Sequence, residues 1–169
     1  MKASDIVRAV RRKYSDSALV TELTLDDEHA RQMELRAMPA WQQQYYRDLI
    51  DPDFVQDPLA EPGGKLTRRI DCLLLAGGKW TAVEIKVTRG DFKRDTYTKR
   101  RAWMLHCHRF VYATPAGLIT ADEVPEGCGW WEVHPDGRVT VGKRAKVNRN
   151  RQPFPERFTE TLMWRLFLK

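Results

Sequence analysis

The chain has no apolar run approaching the roughly 18 to 20 residues that a membrane span requires, and its first residues, MKASDIVRAVRRK, lack the apolar centre of a secretory signal. These two absences set the expectation of a cytoplasmic protein with no membrane association. Cysteine is scarce. Cys72, Cys107 and Cys128 are odd in number and have no paired ligand spacing, which argues against a disulfide framework or a four-cysteine metal cluster and leaves buried or free thiols. His106 and His108 bracket Cys107, but alternating positions at a helix-to-strand junction do not converge, and no second ligand cluster completes a zinc site. Histidines near a helix C-terminus can simply complement its dipole. Internal repeats and low-complexity tracts are also missing, and nothing marks a place to divide residues 1–169 into two domains.

What is present is a globular composition with an uneven charge. Of the 169 residues 42% are hydrophobic, with six Trp, five Tyr and six Phe, enough to build a core. The net charge is +6, yet residues 26–62 carry nine acids against Arg31, Arg36 and Arg47, a local balance of −6, so the remainder stands at +12. A bias of that size suits a polyanionic partner such as nucleic acid, although many basic domains bind none.

Ile6, Val7 and Val10 behind Ser4 or Asp5 predict a helix over about 4–14, and SALVTELTL then predicts a strand. In that strand Leu19, Thr21, Leu23 and Leu25 alternate with Val20, Glu22 and Thr24, which puts Glu22 on the more polar side. Residues 26–66 interrupt the pattern as an acidic insertion. It holds a short helix near 27–37, a second around Trp41, Tyr45 and Tyr46, and the loop DPDFVQDPLAEPGGK. Asp91 is a candidate cap for a helix over about 92–107, followed by the strand RFVYATP, so strand, helix and strand imply a parallel crossover. A hairpin, GWWEV then HPDG then RVTV, comes next. Residues 143–169 are a basic linker, KRAKVNRNR, and a closing helix with Phe158, Leu162 and Leu166 four apart. Trp130, Trp131 and Trp164 are expected in the core.

The most informative stretch is IDCLLLAGGKWTAVEIK, two apolar runs split by Gly77-Gly78. Such a pair reads as a hairpin turn. If it is the turn, Ala76 faces Lys79, Leu75 faces Trp80, and Asp71 faces Glu84. Cross-strand partners share a face with Cα atoms about 4.5 to 5.5 Å apart, and Lys86, two residues beyond Glu84, points the same way. Leu73 with Ala82 and Leu75 with Trp80 would line that face, and Ile70 with Ile85 and Cys72 with Val83 the other. Two carboxylates held together near a core repel one another, so one takes up a proton unless a cation neutralises both. Hard oxygen donors favour Mg²⁺ or Mn²⁺, with the Ile85 carbonyl as a further candidate ligand and Glu22 able to complete the shell. A divalent ion flanked by a lysine suits hydrolysis of a phosphodiester. The bland alternative is a solvated ion-pair cluster worth about 0 to 1 kcal/mol.

Helix, strand, a hairpin bearing Asp71 and Glu84-x-Lys86, then helix and strand resembles the PD-(D/E)XK nuclease superfamily. EIKVTRGDFKRD, HCHRFVYATP and GLITADEVPEGCGWWEV are similar to the MmcB-like DNA repair proteins and related phage nucleases. The likeness covers roughly residues 1–25 and 66–145. It implies an α/β restriction endonuclease-like core, a central mixed sheet in α-β-β-β-α-β order flanked by helices. It further implies metal-binding acids at Asp71 and Glu84, a catalytic lysine at Lys86 and an upstream acid at Glu22. Ile70 stands where the superfamily name has proline. The expected activity is a Mg²⁺- or Mn²⁺-dependent nuclease on DNA, with RNA as a related substrate, in repair, recombination or phage DNA processing. Arg68, Arg69, Lys93, Arg94, Tyr97, Lys99, Arg100 and Arg101 are the DNA-binding candidates. The rival reading is a non-catalytic DNA-binding or adaptor protein on the same fold; a homodimer or a repair-complex partner fits either.

Overall fold

The computed structural model describes residues 1–27 and 67–167. The helices expected near 27–37 and around Trp41 to Tyr46, and the loop that follows them, lie outside the described residues. In chain order the elements are α1 (Ala3–Lys13), β1 (Ala18–Asp26), β2 (Thr67–Ala76), β3 (Lys79–Ile85), α2 (Arg89–Lys93), α3 (Tyr97–His106) and β4 (Arg109–Pro115). A 3₁₀ turn (Ala121–Glu123), β5 (Gly129–Val133), β6 (Val139–Lys143) and α4 (Glu156–Phe167) follow. The six strands make one mixed sheet whose spatial order is their chain order. β1, β2 and β3 are antiparallel, β3, β4 and β5 are parallel, and β6 returns antiparallel to β5. The architecture is α/β.

Two apolar layers cover the sheet. α1 buries Ile6, Ala9 and Val10, spaced for one helix face, against Leu19, Cys72, Leu74, Val83, Val111 and Trp131. The Asp5 carboxylate accepts the Lys2 N–H at 2.8 Å to start this helix. On the other face Ala102 and Trp103 of α3 and Phe158 and Leu162 of α4 pack on Val20, Leu73, Ala82, Phe110 and Tyr112. Gly77 and Gly78 both have positive φ, 55° and 70°, as a two-residue type I′ turn requires. The ladder runs from Ala76–Lys79 to Cys72–Val83 in the register the sequence predicts.

The alternation fails at one place. Leu19 joins the α1 layer, but Leu23 and Leu25 join the α3 layer together with Val20. β2 changes face at the same level. Ile70 packs with Leu73 in the α3 layer, whereas Cys72 and Leu74 face α1, so Ile70 does not share a face with Ile85 as expected. The cause is Glu22, which has φ 53°. A left-handed residue inside a strand turns the chain over, at a cost of about 1 to 2 kcal/mol for a side chain other than glycine. Neither Glu22 nor Asp71 enters the β1–β2 ladder, which pairs Thr21 with Cys72 and resumes at Leu23–Ile70.

Further expectations need correction. The single helix over 92–107 is two, α2 and α3, separated at 94–96. Thr88, not Asp91, caps the first, its hydroxyl accepting the Asp91 N–H at 3.1 Å. In α4 Phe158 and Leu162 are buried, but Leu166 is exposed and Trp164 is 66% exposed, while Trp130 and Trp131 are core. The basic stretch after β6 is tied to the body, with Lys146 N–H donating to Gly127 and Asn148 N–H to His108.

Asp27 and Arg68, at the two ends of the acidic segment, meet at 2.6 Å, and Arg101 of α3 joins the same carboxylate at 3.2 Å. All three are buried. Removing the acid would strand two buried guanidinium groups, so Asp27→Ala is expected to lower unfolding free energy by about 3 to 5 kcal/mol in urea titration. A loss under about 1 kcal/mol would contradict this role.

Candidate active site

The site is built where β3 leaves the antiparallel hairpin and joins the parallel half of the sheet. Backbone N–H groups of a strand point alternately to its two neighbours. Lys86 N–H bonds the Ala113 carbonyl next to β4. Ile85 N–H points toward β2, where the ladder has ended, and it donates instead to the Asp71 carboxylate at 2.8 Å. The ladder's end beside Glu22 thus places Asp71 next to Glu84. Glu84 pairs with Tyr112 of β4 in parallel register, on the side covered by α2 and α3.

Lys86 Nζ donates to Glu84 Oε1 at 2.7 Å and lies 3.6 Å from Asp95 Oδ1. Asp95, in the break between α2 and α3, accepts on Oδ2 a hydrogen bond from the Tyr112 hydroxyl and another from Arg100 Nη1 at 3.1 Å. The Glu84, Lys86 and Asp95 side chains are 19%, 7% and 4% exposed. This is therefore not a solvated surface pair.

Burial, reinforced by the charge of Asp71, pushes the Glu84 carboxyl up to about 7. Burial also raises Asp71, against the hydrogen bond from Ile85 and the charge of Lys86. Burial alone would lower Lys86, but Glu84, Asp95 and Asp91 hold it above the ordinary lysine value. Tyr112 is raised by burial and by its bond to Asp95. Asp95 escapes a reading of the sequence that runs one helix through 92–107, and Tyr112 gives no local signal beyond its place in the strand RFVYATP. The signal that could have exposed Asp95 is Thr96 directly after it, a preferred residue for starting a new helix.

The candidate residues separate. Asp71, Glu84, Ile85 and Lys86 converge. Glu22 stands at the strand break, exposed, and among the described residues no hydrogen bond or ion pair joins it to Asp71, Glu84 or Lys86. Arg69, Lys93, Arg94, Tyr97 and Lys99 are exposed. Arg68 and Arg101 are not surface cations, because Asp27 holds both in the interior, and Arg100 is held inward by Asp95. His106 Nδ1 meets the Pro153 carbonyl, while His108 Nδ1 accepts the Trp80 N–H and its Nε2 lies 3.2 Å from Arg151 Nε. These rings turn to different partners.

Among the described residues no group of three or more His, Cys, Asp or Glu side chains is arranged around one metal position. The donor set still suits a hard divalent cation. Among the described residues no hydrogen bond engages Asp71 Oδ1 or Glu84 Oε2, and burial raises both carboxyls. Asp71, Glu84 and the Ile85 carbonyl are the residues that would hold it.

No protein-family model matches the chain, and no curated protein matches it. A solved structure of a Silicibacter pomeroyi protein of unknown function is similar at 19% identity with a TM-score of 0.42, covering 68% of each chain. No helix among the described residues is long and apolar enough to cross a membrane.

The raised Glu84 carboxyl has a definite sign. Folded Glu84 holds its proton up to about pH 7, whereas the unfolded chain releases it near 4.5, so stability of the metal-free protein falls as pH rises between those values. The loss is on the order of 2 kcal/mol after allowing for partial exposure. Glu84→Gln should flatten the decline in urea titrations from pH 4.5 to 8 in chelator. An unchanged slope would contradict the assignment.

Proposed function

We propose that the protein is a Mg²⁺- or Mn²⁺-dependent nuclease with a restriction endonuclease-like core, hydrolysing phosphodiester bonds of DNA. The observation that carries this reading is the convergence of Asp71, Glu84 and Lys86 at the end of β3, with both carboxyls raised and the lysine in contact with one of them. A bound divalent cation would polarise the scissile phosphate and lower the pKa of a water beside it. Asp71 and Glu84 would hold that cation, and the Ile85 N–H fixes the Asp71 carboxylate. Lys86 places a compact positive charge where the phosphate gains negative charge. Water gives up one proton to solvent as its oxygen bonds to phosphorus, the bond from phosphorus to the leaving oxygen breaks, and the leaving oxygen takes a proton from solvent. Arg69, Lys93, Arg94 and Lys99 are exposed cations on β2 and on the α2–α3 segment that brackets Asp95. They suit phosphate contacts that set position rather than sequence. Tyr97, 45% exposed, offers a ring for a base.

Incubation with single-stranded, nicked, branched and duplex DNA, and with RNA, in Mn²⁺ or chelator tests the reading. Cleavage in metal alone is expected, and Lys86→Ala should lower kcat by about 10² to 10³ while DNA affinity stays within about threefold, a small loss beside the remaining backbone contacts. Absence of cleavage on every substrate would overturn the proposal and favour a non-catalytic DNA-binding role, and full activity of Lys86→Ala would overturn the part given to the lysine.

A further inference from the structure

We propose that Asp95 is a positioning residue, the fixed anionic seat that keeps the Lys86 ammonium in the cleft when Glu84 turns its charge to another cation. The inference rests on the nuclease reading for its purpose but on geometry for its content. Lys86 has two acidic neighbours of different kinds. Glu84 Oε1 is the short contact, at 2.7 Å, and Glu84 is also a proposed cation ligand. Asp95 Oδ1 is the long one, at 3.6 Å, beyond hydrogen-bond range yet within that of an ion pair.

The two acids differ in how they are held. Asp95 Oδ2 takes the Tyr112 hydroxyl and Arg100 Nη1, and Tyr112 is fully buried between Phe92 and Phe110. Arg100 is a member of α3 and lies in contact with Tyr112 as well, at 3.3 Å. Asp95 is thus pinned by two donors from two elements, and its remaining oxygen faces the lysine. Among the described residues the Glu84 side chain has one hydrogen bond, from Lys86. If a cation draws Glu84 away, Lys86 loses its short partner inside a pocket where its side chain is 7% exposed. A buried ammonium without a counter-charge is costly, so without Asp95 the side chain would leave the cleft for water. With Asp95 fixed, a shift of less than an ångström turns the long ion pair into a charge-assisted hydrogen bond, whose usual length is about 2.7 to 2.9 Å.

Crystal structures of the Glu84→Gln and Glu84→Gln/Asp95→Asn proteins test the seat without any turnover. Glu84→Gln removes a carboxylate charge that burial disfavours, so it is not expected to unfold the chain. The expected result is Lys86 Nζ within about 3 Å of Asp95 Oδ1 in the single variant and a displaced or disordered Nζ in the double. A lysine that swings to solvent in Glu84→Gln, or keeps its place in the double variant, would overturn the proposal. Kinetics give the second readout. Asp95→Asn should lower kcat roughly 10- to 100-fold, the range usual for outer partners of a catalytic group, with KM for DNA within twofold. Tyr112→Phe, which removes one donor to Asp95, should give a smaller loss of the same kind. An effect confined to KM, or none on kcat, would contradict the role. A wild-type protein that cuts nothing would sink the nuclease reading, and the position of Lys86 in Glu84→Gln would still decide the seat.

Discussion

Lys86 is the positive charge around which the acids at the end of β3 are organised. Its ammonium bonds Glu84 and faces Asp95 in a region from which water is largely excluded. Take that cation away and the cleft holds Asp71, Glu84 and Asp95 with Arg100 committed to one side of Asp95. The local backbone is arranged for this cluster. The β2–β3 ladder ends one pair before Asp71 and Glu84, Ile85 N–H is turned to the Asp71 carboxylate, and Glu22 adopts a left-handed conformation at the same level. Strained backbone within a strand persists only where surrounding structure imposes it, and here the strand break leaves Asp71 outside the β1–β2 ladder.

The same economy governs the arginines. A helix that reads as strongly cationic divides its charge between two tasks. Arg100 and Arg101 turn inward, one to Asp95 beside the cleft and one to Asp27 just after β1. Lys93, Arg94 and Lys99 remain on the surface. The usable electrostatic footprint is therefore smaller than composition suggests.

Legibility followed the range of the interaction. Gly77-Gly78 and the twofold alternation on either side are local signals, and they specified the β2–β3 register from Cys72–Val83 to Ala76–Lys79. The left-handed residue is a glutamate, for which no composition rule predicts positive φ, so the change of face that puts Ile70, Leu23 and Leu25 in the α3 layer was hidden. Arg68 and Arg101 meet Asp27 across 41 and 74 residues of sequence, far beyond any periodicity. Asp95 was obscured because an uninterrupted helix through 92–107 places it on a solvated face. The four-residue spacing holds for Phe158 and Leu162 but not for Leu166, because packing ends with the first two and leaves Leu166 and Trp164 exposed.

We propose that Asp71 and Glu84 together hold one hard cation beside Lys86. Anomalous diffraction from crystals soaked in Mn²⁺ tests it most directly. One strong peak bonded to both carboxylates is expected, absent from Asp71→Asn crystals. No peak at millimolar Mn²⁺, or a peak that touches only one of the two acids, would contradict it.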